Sequence, residues 1–235
     1  MNNGISDKVT WKNDDELFEI IRNELYTAVV GDIMDNMGLL HQFLPPQIRP
    51  LHQDMFLVGR AMTVLEADVF GDNSNLNPIL NKSFGLMLGA LDDLKKNEVY
   101  ICTGASPTYA LWGELMATRA RKLNAVGAVV NGYSRDTKGV LALGLPIFSF
   151  GPYAQDQAPR GKVIDFRIPI EICNVHIDPG DIVIGDVDGV CIVPQKKEEE
   201  IFGRAIEKSR GEKRVQEKIH EGIPAKEAFE KYGIM

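Results

Sequence analysis

A chain of 235 residues, 44% of them hydrophobic and 25% charged with only 12 Pro, has the composition of a folded globular protein and not of a disordered or collagenous one. A chain of this length buries about 70% of its extended-chain surface, so it can fold without a disulfide or metal staple. Thirty-three acidic against 26 basic residues leave a net charge of −7, with no basic surplus to neutralise a phosphate backbone, which excludes nucleic acid as an expected partner.

The opening segment, Met1 to Asp7, lacks the basic start and apolar core of a secretory signal, so a cytosolic (cytoplasmic) location is expected. Asp14-Asp15 is read as the cap of a helix over Glu16 to Ile21, and Thr27 as the cap of a second over Ala28 to Met37, stopped at Gly38. Pro45, Pro46 and Pro50 enforce an extended connector, and Phe56 to Leu65 reads as a buried strand. The Asx-rich loop Asp68 to Asn77 has the composition of backbone turns and is left unassigned. A helix near Ser83 to Leu91 and a strand Val99 to Cys102 follow. Next come a helix Glu114 to Leu123 and an apolar strand Ala125 to Val130. The longest uncharged run, Gly139 to Gln155, is broken by Gly144, Pro146, Gly151 and Pro152 and is shorter than the ~20 apolar residues of a membrane span, so no membrane partner is expected.

Beyond residue 145 the period shifts toward two, with strand-like runs at Val163 to Ile170, Asn174 to Ile177, Asp181 to Ile184 and Val190 to Val193. Pro179-Gly180 and Asp188-Gly189 are turns, so Asp186 to Gly189 is assigned to a hairpin and not to a metal loop. Lys196 to Lys231 is a charged helical segment, interrupted at Gly211 and Gly222 to Pro224, which covers the core or a neighbouring subunit. Cys102, Cys173 and Cys191 show no C-x-x-C spacing and read as three buried small side chains; His41, His52, His176 and His220 never reach zinc-ligand spacing. With no repeat or linker, one mixed α/β domain spans residues 1–235, its core at about 25–195 and a helical extension at 196–235.

The chemistry-bearing stretch runs from Val99 to Asp136. Strand, loop, helix and strand there form a crossover, which makes the two strands parallel and sets their following loops, Thr103 to Trp112 and Asn131 to Thr137, side by side at the carboxyl edge. The helix start at Gly113-Glu114-Leu115-Met116 offers free amides and a dipole that suit an anion. The second loop brings Arg135-Asp136, so a guanidinium and the carboxylates of Glu114 and Asp136 are expected to share one pocket. A structural ion pair between Arg135 and Asp136 is the bland alternative.

Trp112-Gly113-Glu114-Leu115-Met116-Ala117, followed after twenty residues beyond Glu114 by Arg135-Asp136, resembles the RraA-like family, which includes the 4-hydroxy-4-methyl-2-oxoglutarate and 4-carboxy-4-hydroxy-2-oxoadipate aldolases. Thr27 to Gly38, Val58 to Val64 and Pro179 to Val190 extend the likeness to about residues 25–195. The resemblance implies a β/β/α swivelling-domain fold in a homotrimer or homohexamer, with the site at a subunit boundary. It also implies a Mg²⁺- or Mn²⁺-dependent lyase. Asp136 would hold the metal and Glu114, standing where that branch usually has Asp, would reach it through water. Arg135 would meet the keto oxygen, and the amides of Gly113 to Met116 would bind the substrate carboxylate. A further carboxylate is expected from a neighbouring subunit's C-terminal region, with Glu198, Glu199, Glu200, Glu207 and Glu212 as the choices. The implied substrate is a 4-hydroxy-2-oxo acid cleaved to pyruvate, with oxaloacetate decarboxylation as a side activity. The alternatives are a non-catalytic regulator that binds a ribonuclease, a role one branch of the family has, or another metal-assisted lyase or hydratase. An older methyltransferase label in the family is set aside, since no glycine-rich loop suited to S-adenosylmethionine is present.

Overall fold

A computed structural model describes residues 10–70 and 77–233. Met1 to Asp7, and most of the loop between Asp68 and Asn77, lie outside the described residues. Helices are α1 (Asp14–Glu24), α2 (Thr27–Asn36), α3 (Met87–Asp92), α4 (Glu114–Lys122), α5 (Thr137–Leu143), α6 (Glu198–His220) and α7 (Ala225–Tyr232). Strands are β1 (Arg49–Pro50), β2 (Leu57–Asp68), β3 (Glu98–Thr103), β4 (Ala110–Trp112), β5 (Gly127–Val130), β6 (Tyr133–Ser134), β7 (Ile147–Ser149), β8 (Gly161–Phe166), β9 (Ile170–Ile172), β10 (Val175–Ile177), β11 (Ile182–Asp186) and β12 (Gly189–Val193).

The main sheet runs β1-β7-β5-β3-β2-β11-β12, with β8 added beside the far end of β2. Its centre, β7-β5-β3-β2, is parallel, as the crossover requires, and the outer strands are antiparallel. The sheet curls until its ends approach: Arg49 on β1 donates to the carbonyls of Val187 and Asp188 in the β11–β12 turn, at 3.0 and 2.5 Å. This is the α/β swivelling-domain architecture, a near-closed mixed sheet with flanking helices.

Strand alternation sends successive side chains to opposite faces, and two apolar cores follow from it. Met62, Val64, Tyr100, Cys102, Ala128 and Val130 pack outward under α3 and α4. Ala61, Val99, Ile101, Val129, Phe148 and Val183 fill the inside of the curl. A third core forms where α1, α2 and α6 cover Val58, Ile184, Cys191 and Val193.

Several local expectations are corrected. The α1 cap is Asn13, whose side chain accepts from Glu16 N at 3.0 Å, not Asp14-Asp15. Thr27 is the first helical residue of α2: its amide and hydroxyl donate to Asp186, each at 2.8 Å, so the cap comes from the hairpin. Gly38 ends α2 at φ +77° as expected. Gly211 does not interrupt α6; it is buried within it. Cys173 is exposed, while Cys102 and Cys191 are buried. Ser83 to Leu86 form turns before the shorter α3, and Val163 to Ile170 divides into β8 and β9.

Candidate functional site

The two loops at the carboxyl edge are zipped together. β4 and β6 pair in parallel, Ala110 with Tyr133 and Trp112 with Ser134, and Arg135 N donates to Trp112 O at 2.8 Å. A third segment joins them after β7, through bridges from Ser134 to Pro152 and from Ala110 to Asp156. Gly113, the N-cap of α4, and Arg135-Asp136 are thereby fixed against each other.

A pocket of about 450 Å³ opens at this junction, and Gly113, Leu115, Met116, Arg135 and Asp136 all line it. Glu114 N donates to Asp136 Oδ2 at 3.3 Å, so one carboxylate oxygen already sits at the helix's positive end. Glycine at 113 leaves room for this approach: a Cβ there would stand 2.7 Å from Asp136 Oδ2 and displace the carboxylate. Asp136 itself has φ +56°, the left-handed region that Asp tolerates better than most residues; this turns its carboxylate back toward α4 while its main chain starts α5.

Glu114 departs from the expectation that both carboxylates share the pocket. Its carboxyl group lies over Gly139 in the first turn of α5, in the space a Cβ at 139 would fill, and it does not line the cavity. Asp92 and Asp156 line the wall beside Asp136; Asp156 Oδ1 is 3.2 Å from Arg135 Nη1, while Asp136 Oδ2 is 3.7 Å from Arg135 Nε. Arg135 is thus held between two half-exposed acids. Asp156 and Gln157 follow the parallel strand β7; the carboxyl-edge rule that singled out the loops after β3 and β5, applied to that third strand, finds them.

Behind the wall lies Glu66, fully buried on β2. Its Oε2 accepts from Gln157 Nε2 at 2.5 Å, and its Oε1 has no partner among the described residues. Burial pushes its carboxyl up to about 8. Burial, reinforced by Glu66, also raises the Cys102 thiol well above its usual range, so Cys102 is no nucleophile. All four histidines are exposed.

The divalent ion implied by the resemblance can be tested against this donor set. Among the described residues no three His, Cys, Asp or Glu side chains converge. What the wall offers is hard carboxylate oxygen, from Asp136 and Asp156 beside Arg135 and from Asp92, which is paired with Arg119. That fits Mg²⁺ or Mn²⁺ held by one or two carboxylates with water completing the shell, and it does not fit a zinc site or a fully dehydrated cage.

The fold is thus a mixed α/β domain with a pocket at the carboxyl edge of its parallel strands. The Aldolase/RraA model of the RraA-like family matches residues 27–192, and the chain belongs to that family. A Halalkalibacterium halodurans protein provisionally named a 4-hydroxy-4-methyl-2-oxoglutarate aldolase is 29% identical over 204 residues, 86% of this chain and 89% of that one. Protein DlpA of Legionella pneumophila is 27% identical over 88% of this chain, which spans only about a third of that longer protein (32%). Among solved structures, one titled as novel cellulases from gut-associated microbes is 30% identical with a TM-score of 0.78, covering 90% of this chain and 91% of that chain. Streptomyces coelicolor RraAS2, titled an unusual member of the RNase ES inhibitor RraA family, shares the fold at 21% identity and a TM-score of 0.73, over 88% and 99%. No helix among the described residues is long and apolar enough to cross a membrane.

Proposed function

We propose that the pocket cleaves the bond between carbons 3 and 4 of a 4-hydroxy-2-oxo acid to release pyruvate. The observation that carries this reading is the convergence of Arg135, Asp136 and the Gly113 end of α4 on one cavity. The amides of the first α4 turn bind the C1 carboxylate. The Arg135 fork, steadied by Asp136 and Asp156, donates to the C2 keto oxygen. As the 4-hydroxyl gives up its proton to a base, the C3–C4 electron pair moves toward C2 and charge grows on that oxygen. A positioned donor there is worth roughly 3 kcal/mol. The fragments are a carbonyl compound and the enolate of pyruvate, which takes a proton at C3. Asp136 is the residue that would hold a divalent cation, which supplies Lewis-acid charge at the keto oxygen when bound. Oxaloacetate loses CO₂ to the same enolate, so that side activity is part of the proposal.

Assembly as a trimer or a dimer of trimers belongs to the same reading. Its support is the apolar rim of the pocket, where Phe84, Leu88 and Leu115 are 37%, 57% and 85% exposed.

The test is pyruvate release from 4-hydroxy-2-oxo acids and oxaloacetate with Mg²⁺ or Mn²⁺. Asp136→Ala is expected to lower kcat/KM at least 100-fold and EDTA to abolish turnover reversibly. Activity indifferent to both overturns the reading. A protein with no lyase activity that instead binds a ribonuclease transfers it to the regulatory branch.

A further inference from the structure

The cavity holds a second guanidinium. Arg119 lies on its wall, three and four residues beyond Met116 and Leu115 on α4, so the three share one helix face. Helical side chains lean toward the N-terminus, which brings a long one at 119 back over the cavity. Arg119 Nε donates to Asp92 Oδ1 at 2.7 Å, and the two side chains are 42% and 65% exposed. An exposed pair of this kind is worth at most ~1 kcal/mol, and it occupies one edge of a group with five N–H donors. The outer edge is left for a carboxylate. Arg119 is six helical steps beyond Gly113, a rise of roughly 9 Å. A five-carbon dicarboxylate spans four carbon–carbon bonds of about 1.5 Å each, and a side chain at 119 that leans toward the helix N-terminus shortens the distance to be bridged. The same cavity has an apolar lining from Met87, Leu91 and Leu111.

We infer that Arg119 reads the distal carboxylate of the substrate, which makes the cavity a two-anion site selective for 2-oxo dicarboxylates over 2-oxo monocarboxylates, with Asp92 as the internal competitor for the same guanidinium. This rests on the oxo-acid reading of the pocket. It assigns opposite consequences to the two halves of one ion pair. Loss of Arg119 removes the distal contact, whereas loss of the Asp92 charge frees it.

The experiment is calorimetric titration of the full chain with 2-oxoglutarate and with 2-oxovalerate in Mg²⁺. These probes have the same chain length, differ in the distal carboxylate and carry no 4-hydroxyl to be cleaved. Wild type is expected to bind 2-oxoglutarate about tenfold tighter, the worth of one charge-assisted contact. Arg119→Gln should bring the ratio near one while leaving 2-oxovalerate within about twofold, and Asp92→Asn should hold or raise the ratio. An unchanged ratio in Arg119→Gln overturns the inference. So does a parallel loss of both ligands and of Tm in both variants, which marks the pair as structural. Equal binding of the two acids by wild type sinks Arg119's role alone, whereas binding of neither sinks the oxo-acid reading with it.

Discussion

Arg135 keeps its place because its planar fork meets two acids at once, Asp136 through Nε and Asp156 through Nη1. Lysine would keep the charge but lose the fork, so Arg135→Lys should lower kcat/KM for pyruvate release roughly 10- to 100-fold with Tm within a degree or two; near-wild-type turnover would remove the guanidinium from the keto oxygen. Glu66 makes a different prediction. Its carboxyl is pushed up to about 8 in the fold, against about 4.3 in an unfolded chain. Between those values the native state holds a proton that unfolding releases. Stability is therefore greatest below about pH 4.3 for this group, falls on the order of 1 kcal/mol per pH unit as pH rises, and levels off above 8. Glu66→Gln should flatten that slope, giving a Tm above wild type at pH 8 and near it at pH 5. An unchanged slope would mean that Glu66 is ionised in the fold.

At the level of elements, the site depends on how closely β4, β6 and the start of α4 approach. Gly113 permits that approach, and Gly113→Ala forces a Cβ against Asp136 Oδ2. The expected result is a loss of activity of tenfold or more in a chain whose circular dichroism is unchanged, because the displaced atom belongs to the pocket and not to the core. The α2 start depends on another long-range contact, since Asp186 supplies the cap from 159 residues away. Asp186→Ala should cost about 1 kcal/mol, the usual worth of a cap, seen as a lower urea midpoint at unchanged m. The crossover β3-α4-β5 and the hairpin β11–β12 were legible because periodicity and turn chemistry are local properties. The source of the α2 cap was not, since nothing near Thr27 points to Asp186.

Across the whole molecule, the starts of α1 and α6 are pinned to the sheet through Arg60. On β2 it pairs with Asp14 of α1 and Glu198 of α6, each at 2.5 Å, and its side chain is only 15% exposed. Arg60→Ala leaves those acids facing each other. It should cost about 2 kcal/mol, held below the figure for a fully buried pair because Asp14 is 37% exposed. Thermal denaturation measures it. Removing residues 196–235 would strip Ile201, Phe202, Ala205 and Ile206 from the third core, so the shortened chain should aggregate or lose its cooperative transition.

Legible in the sequence were the parallel crossover, the helix start after Gly113 and the place of Arg135-Asp136 at a strand's end, because hydrophobic period, glycine placement and the geometry of crossovers act over short stretches of chain. Only the tertiary structure decided which carboxylates face the cavity. Glu114 turns to Gly139, and Asp156, Gln157 and Arg119 take their places on the wall. The segment after β7 was within reach of the carboxyl-edge rule, but side-chain direction at a loop or helix end is set by what packs against it from distant segments, as α5 does for Glu114, and no local pattern encodes that direction.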